Sequence, residues 1–196
     1  ASAKPWPGQK RVPKALSVAE IHETTEAFAD AAVRAKKAGC DGVEIQAGHQ
    51  FLLHTFLSPQ TNTRTDQYGG SLENRVRVLK EIVDKIKAKA GQDFPVLTKV
   101  NSYDNGPGGT TLETFPALAA AIAKTGVDAI ELTGGIPAVS GIDDPTEQSY
   151  HARYAKALDV EVPIILTGGN KNIDVMERLF KPGTIDFFGI ARPIIR

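Results

Sequence analysis

Apolar residues recur along the chain in two alternating patterns, one typical of amphipathic helices and the other of buried strands. Apolar positions three and four residues apart predict helices at 17–39, 71–91, 110–126, 146–158 and 173–180. Short apolar runs between them predict strands at 42–47, 96–101, 128–133, 162–167 and 185–190. This alternation of strands and helices predicts parallel βαβ units with right-handed crossovers.

Capping signals place two of the helix starts. Ser17 and Glu20 have the spacing of a capping box, in which each side chain satisfies the other residue's backbone N–H group. Thr110 and Glu113 repeat this spacing, and Pro116 indicates that the helix begins a residue or two later than the box suggests. We therefore expect the first helix to begin at its capping box and the second to begin a residue or two after the position that its box suggests.

An internal repeat favours a barrel over an open sheet. Residues 39–45 (Gly-Cys-Asp-Gly-Val-Glu-Ile) match residues 126–132 (Gly-Val-Asp-Ala-Ile-Glu-Leu), and repeated βα units build (β/α)8 barrels. A doubly wound dinucleotide-binding sheet usually carries a Gly-x-Gly-x-x-Gly motif after a strand. No such motif follows a predicted strand in this sequence. The predicted fold is therefore α/β, a partial (β/α)8 TIM barrel of about five parallel strands alternating with helices.

We predict one partial-barrel domain over 1–196, with an N-terminal arm at 1–16 and βα units at 17–196. A closed barrel of this type needs eight strands, so the chain is expected to be a fragment or to pair with another copy. The two edge strands and the open inner face would then favour self-association, because unpaired strand edges and exposed apolar surface promote contact between chains.

Composition and charge exclude several classes of partner. Lysine plus arginine number 23, and aspartate plus glutamate also number 23, so no electrostatic argument supports a nucleic-acid partner. No run of 18 apolar residues is present, so no membrane span is predicted. Cys40 is the only cysteine, which excludes an intrachain disulfide and favours a reducing, cytoplasmic location. No metal site is predicted.

Two loops near the end of the chain predict a phosphate site. Gly168 and Gly169 follow a strand and precede a helix, where backbone N–H groups can approach an anion. Ala191 and Arg192 follow the next strand, and an arginine can bind phosphate oxygens through two hydrogen bonds. The alternative for the glycines is ordinary turn chemistry, but loops after the last two strands of a barrel often bind phosphate.

Lys99 lies in a strand that is expected to be covered on both faces, so its ammonium needs an anionic partner. The repeat places Glu44 and Glu131 on the two flanking strands, and either carboxylate is one possible partner. An electron-rich ligand edge, such as a flavin pyrimidine, is the other. In the absence of a ligand, we expect Lys99 to pair with one of the two glutamates.

Gln46 and His49 leave the first strand at its carboxyl end, where barrels place their active sites. Both side chains can face the barrel mouth, and they are candidate ligand-binding groups. The alternative for His49 is a structural role. His54 lies on an apolar stretch and is expected to pack inside the protein.

A longer motif resembles a known family. Residues 56–59 (Phe-Leu-Ser-Pro) and 62–75 (Asn-Thr-Arg-Thr-Asp-Gln-Tyr-Gly-Gly-Ser-Leu-Glu-Asn-Arg) are similar to the signature loop of the NADH:flavin oxidoreductase / old yellow enzyme family. The resemblance covers essentially the whole chain, as the C-terminal portion of the family's FMN-binding barrel. It implies FMN at the barrel mouth, reduction by NAD(P)H and reoxidation by an activated alkene such as an enone.

The resemblance also implies roles for the cofactor-binding candidates. Lys99 occupies the place of an arginine that lies against the flavin pyrimidine in the family. Gly168 and Gly169 align with the phosphate-binding turn. Ala191 and Arg192 align with the family's Gly-Arg pair, with alanine in place of the usual glycine.

The substrate-binding motif departs further from the family pattern. The family commonly has two side chains that bind the substrate carbonyl and a tyrosine that supplies a proton. Here His49 is retained, Gln46 replaces the first histidine and Phe51 replaces the tyrosine. Glutamine can still donate a hydrogen bond to a carbonyl, whereas phenylalanine has no proton to donate.

The resemblance predicts an FMN-dependent NAD(P)H oxidoreductase of the ene-reductase type that acts on a small-molecule substrate. One alternative is a non-catalytic partial barrel that binds a phosphate ligand or only associates. Another is a phosphate-binding barrel enzyme without flavin.

Overall fold

The computed structural model of the chain describes residues 1–134 and 148–195. Within them, five strands form one parallel sheet whose spatial order follows the chain: β1 (Val43–Ala47), β2 (Val96–Asn101), β3 (Ala129–Thr133), β4 (Ile164–Thr167) and β5 (Phe187–Gly189). The intervening helices are α1 (Val18–Lys37), α2 (Leu52–Leu57), α3 (Leu72–Ala90), α4 (Phe115–Ala123), α5 (Ala152–Ala155) and α6 (Ile173–Phe180). A 3-10 turn follows at Arg192–Ile194. The predicted five-stranded partial barrel is confirmed.

Successive strand residues point alternately toward the helices and toward the barrel interior, because side chains alternate along a strand. The helix-facing residues are buried and include Ile45, Ala47, Val96, Val100, Ile130, Leu132, Ile164 and Leu166. The interior-facing residues are mostly polar and include Glu44, Gln46, Lys99, Asn101, Glu131, Thr133 and Thr167. The apolar core therefore lies between sheet and helices, and the polar face lines the barrel interior.

The capping box of α1 is present as predicted. The Glu20 backbone N–H donates to Ser17 Oγ over 3.2 Å, and the Ser17 N–H donates to Glu20 Oε2 over 2.8 Å. Ser71 caps α3 by accepting a hydrogen bond from the Asn74 N–H at 3.2 Å. These two helix starts follow from local sequence alone, since each cap uses residues three apart.

The second predicted capping box is wrong. Helix α4 begins at Phe115 with Pro116 in its first turn, and no side-chain cap is formed. The Thr110 N–H donates instead to the buried carboxylate of Asp104 over 2.9 Å. A tertiary contact therefore takes the residue that the local pattern assigned to a cap.

Other boundaries also differ from the predictions. The 146–158 helix is shorter, since α5 covers only Ala152–Ala155 and residues 146 and 147 lie outside the described part. Helix α2 at Leu52–Leu57 was not predicted, because a segment of six residues is too short to show a helical period. In the described segments, no helix has the length and apolarity to cross a bilayer. The cytoplasmic location stays a prediction.

The family-like motif forms a closed structural loop between α2 and α3. Asn62 Nδ2 donates to Phe56 O at 2.8 Å and to Tyr68 O at 2.7 Å. A Cβ on Gly69 would lie 2.2 Å from the Arg64 carbonyl oxygen, so any side chain there would displace the loop. The loop packs tightly against itself, and this packing restricts which residues its positions can accept.

Candidate active site

The candidate substrate-binding groups converge at the carboxyl end of β1, β2 and β3. Gln46 Oε1 accepts a hydrogen bond from the Gly48 N–H at 3.0 Å, and Asn101 Oδ1 accepts one from the His49 N–H at 2.9 Å. The His49 Nε2 atom lies 2.8 Å from Thr133 Oγ1. The fold thus brings together Gln46 and His49, as the sequence predicted, and adds two groups from neighbouring strands.

Gly48 permits this convergence because it has no side chain. A Cβ at this position would lie 2.8 Å from Asn101 Oδ1 and 3.2 Å from Thr133 Cγ2. Contacts this short force neighbouring atoms to move. The glycine therefore lets two strands and the loop after β1 approach each other at the barrel mouth.

The His49 imidazole is held in a neutral, directed state. Burial lowers the pKa of His49, and the positive charge of Lys99 lowers it further. A neutral ring has one N–H donor and one acceptor nitrogen. It can therefore donate a hydrogen bond to a carbonyl oxygen without carrying a charge into the site.

Lys99 pairs with Glu131, its register neighbour on β3. Its Nζ lies 2.5 Å from Glu131 Oε1, and the two side chains are 19% and 12% exposed. The expectation that Lys99 pairs with Glu44 or Glu131 is confirmed, with Glu131 as the partner. The cation lies on the interior face of the sheet.

Glu44, Glu131 and Lys99 form a carboxylate–carboxylate–ammonium group inside the barrel. Burial raises the pKa of Glu44 to about 7, and the adjacent Glu131 carboxylate adds to the rise. Burial also acts to raise the pKa of Glu131, but hydrogen bonds from Glu44 and Lys99 outweigh it and lower that pKa. Below about pH 7 the proton therefore resides on Glu44, and the charge of Lys99 is balanced by Glu131.

The predicted glycine turn adjoins the end of β5. Gly168 and Gly169 follow β4 with φ values of 108° and 72°, a region that favours glycine. The side chain of Asn170 is buried, and its Nδ2 donates to Leu166 O at 2.7 Å and to Gly189 O at 3.0 Å. This bridge fixes the Gly-Gly turn against the end of β5.

The segment before α5 lies over the same turn. The Tyr150 N–H donates to Gly168 O at 3.2 Å, and a Cβ on Gly169 would lie 2.6 Å from the Tyr150 ring. A Cβ on Gly168 would lie 3.3 Å from His151 Nε2. The Tyr150 ring therefore excludes a side chain at Gly169, and both glycines are favoured by their backbone angles.

His151 is a residue that the sequence reasoning missed. It is buried, its Nδ1 lies 3.3 Å from Ser102 Oγ, and its ring packs 5.8 Å from that of Tyr103. Burial lowers the pKa of His151 to about 4, and the charges of His49 and Arg153 act in the same direction. No local pattern distinguishes this histidine, since its neighbours come from the ends of other strands.

The other residues singled out from the sequence are Ala191, Arg192 and Phe51. Ala191 is exposed and accepts a backbone hydrogen bond from Ile194 at 3.1 Å, and the backbone of Arg192 begins the 3-10 turn. The Arg192 side chain lies outside the described part of the structure. Phe51 is 58% exposed at the start of α2.

Comparison with known proteins identifies the family. A family model described as the NADH:flavin oxidoreductase / NADH oxidase family matches residues 3–196. The chain belongs to this family. An NADPH dehydrogenase of Halalkalibacterium halodurans is 36% identical over 192 residues, which are 95% of this chain and 54% of that protein. An NADH oxidase of Thermoanaerobacter brockii is 34% identical over 188 residues, 93% of this chain and 29% of that protein.

Solved structures agree with the fold. The old yellow enzyme homologue from Zymomonas mobilis aligns with a TM-score of 0.74 at 26% identity, over 98% of this chain and 54% of that chain. The chain therefore spans about half the length, or less, of the relatives it matches. The family is one of oxidoreductases, and FMN and NAD(P)H, the expected cofactors, are those of the family.

Proposed function

We propose that this chain forms part of an FMN-dependent NAD(P)H oxidoreductase of the ene-reductase type. The observation that carries the proposal is the placement of a glycine turn, an interior cation and two carbonyl-binding candidates at one end of a partial barrel. Family membership and relatives named NADH oxidase and NADPH dehydrogenase support it.

The residues present fit FMN. The turn at Gly168 and Gly169 has the positive φ values that favour glycine, and such a turn can direct backbone N–H groups toward a phosphate on the side away from the Tyr150 ring. Asn172 caps α6 by accepting hydrogen bonds from Asp174 N and Val175 N. Because the first N–H groups of α6 are used in this way, the glycine turn is the better phosphate donor, assisted by Ala191 and Arg192.

Lys99 would lie beside the flavin pyrimidine and stabilise negative charge there. Its pairing with Glu131, together with the protonation of Glu44 below about pH 7, keeps the three groups near neutrality. FMN, when bound, supplies the hydride transfer chemistry. Gln46 and His49 would donate hydrogen bonds to the carbonyl of an activated alkene, since a neutral imidazole and an amide are both donors.

The phosphate turn is tested by comparing FMN with riboflavin, which lacks the phosphate. Gly169→Ala should weaken FMN binding about tenfold or more, because charge-assisted hydrogen bonds contribute about 1.5–3 kcal/mol. Riboflavin binding should change little. Flavin absorbance or fluorescence titration measures both affinities, and Arg192→Ala should reproduce the selective loss.

Gly183→Ala is the matched control. Gly183 also has a positive φ, 75°, but a Cβ there would meet no atom within 4 Å. It should leave FMN affinity unchanged. Equal effects on FMN and riboflavin would place the phosphate elsewhere. If the chain binds a phosphate ligand but neither FMN nor riboflavin, the result would favour the flavin-free barrel enzyme.

We also propose that the chain self-associates. The outer edges of β1 and β5 pair with no further strand among the described residues. Phe187, Ile194 and Ile195 are 58%, 74% and 73% exposed near the β5 edge. Exposed strand edges with apolar side chains favour association between chains.

Sedimentation velocity at micromolar concentration tests this proposal. We expect species larger than the 21.0 kDa monomer and a shift toward the monomer with Ile194→Lys. Val12→Lys is the control, because Val12 is 61% exposed on the N-terminal arm. A monomeric wild-type chain would refute the proposal.

A further inference from the structure

The loop that presents His49 has an unusual backbone. His49 and Gln50 have φ values of 54° and 64°, the left-handed region that side chains other than glycine rarely adopt. Two consecutive residues of this kind persist only where surrounding contacts fix them. The contacts that fix this pair therefore decide where the His49 ring points.

Gln50 is held at three atoms. Its N–H donates to His54 Nδ1 at 2.9 Å, and its carbonyl oxygen accepts from Trp6 Nε1 at 3.2 Å. Its side-chain Oε1 accepts from Gln9 Nε2 at 3.1 Å. Among these three partners, His54 is hydrogen-bonded in turn to a buried residue of the protein interior.

The His54 tautomer is set by its two neighbours. Because Nδ1 accepts from Gln50, the ring proton lies on Nε2, which donates to Asp104 Oδ1 at 2.7 Å. Asp104 Oδ2 accepts from Ser58 Oγ at 2.7 Å and from the Thr110 N–H at 2.9 Å. The side chains of His54 and Asp104 are 4% and 0% exposed, so water does not replace these partners.

We propose that His54 and Asp104 are positioning residues for His49. Asp104 fixes the His54 tautomer, His54 holds the Gln50 N–H, and the left-handed pair then aims the His49 ring at Thr133 across the barrel mouth. This role deepens the proposed function, in which His49 binds the substrate carbonyl. This positioning role differs from a packing role, because it requires that His54 Nδ1, and not Nε2, accept the hydrogen bond from the Gln50 N–H.

Two substitutions at His54 separate positioning from packing. In His54→Asn, the side-chain oxygen lies near the position of Nδ1 and can still accept from Gln50, while the link to Asp104 is lost. In His54→Gln, the amide nitrogen lies near the position of Nε2 and can still donate to Asp104, while the acceptor for Gln50 is lost. Both variants remove the imidazole ring and its contact with the Trp6 ring, and their side chains differ by one methylene group.

Nuclear magnetic resonance on the full chain gives the readouts. In His54→Gln, the Gln50 amide should exchange with solvent about fivefold faster or more, the effect of losing one hydrogen bond. The nuclear Overhauser contact between the His49 ring and the Thr133 methyl group should weaken. In His54→Asn, both signals should stay near wild type.

Equal behaviour of the two variants in these signals would overturn the proposal. If neither variant folds, the nitrogen shifts of His54 in the wild-type chain decide it, since protonation at Nδ1 would overturn it. Titration of the wild type with 2-cyclohexenone tests the proposed function separately. No shift at His49 would count against its substrate role and leave the positioning result unaffected.

Discussion

Replacing Asp104 with alanine is expected to lower the free energy of unfolding by about 3–5 kcal/mol, because three buried donors would lose their acceptor and each unsatisfied group costs about 1–3 kcal/mol. Burial raises the pKa of Asp104, but hydrogen bonds from His54, Ser58 and the Thr110 N–H outweigh this and lower it. Alanine would leave all three donors without their acceptor in a site that is closed to water. Urea unfolding followed by circular dichroism measures the loss.

Asp84→Ala is the control for this measurement. Asp84 pairs with Lys80 at 2.7 Å on the surface of α3, and both side chains are more than half exposed. Exposed pairs contribute at most about 1 kcal/mol, so this substitution should have a small effect. Losses of similar size in the two variants would show that the buried network does not stabilise the fold.

Titration of His151 is expected to raise the free energy of unfolding by about 3 kcal/mol from pH 4 to pH 7. Burial lowers the pKa of His151 to about 4, from an ordinary value of 6.5. Between these values the unfolded chain binds the proton and the folded chain does not. The stability contribution is therefore complete above pH 6.5 and is lost as the pH falls toward 4.

The titration of Glu44 has the opposite effect on the free energy of unfolding. Burial raises its pKa to about 7 from an ordinary value of 4.5, so its contribution to stability decreases as the pH rises between these values. Glu44 is exposed on the open interior face of the sheet, so solvent screening should make its effect smaller than that of His151. The wild-type profile will contain both contributions.

Two variants resolve the pH profile. His151→Asn should reduce the rise between pH 4 and pH 6.5 and leave the contribution of His49, whose pKa is also lowered. Glu44→Gln should steepen the rise by removing the opposing contribution. Chemical unfolding at half-unit pH steps gives the slopes. A His151→Asn profile parallel to that of the wild type would mean that the histidine is not held neutral by the fold.

Local sequence signals determined much of the architecture. The Ser17–Glu20 box and the Ser71 cap use residues three positions apart, so no distant contact is needed to read them. The repeat at 39–45 and 126–132 identified matching strands, and the register then placed Glu131 beside Lys99 as expected. The capping box at Thr110 failed because Asp104 competes for the same N–H group.

The sequence by itself determined the strand and helix order, the interior lysine with its glutamate partners, and the candidate Gln46, His49 and glycine turn. These follow from periodicity and from short-range spacing. Only the tertiary structure decided how Asp104, His54 and Gln50 connect, and why His151 stays neutral. Such features depend on burial and on contacts between residues up to about 50 positions apart. Desolvation and long-range hydrogen bonds have no periodic signature along a chain, so the fold alone reveals them.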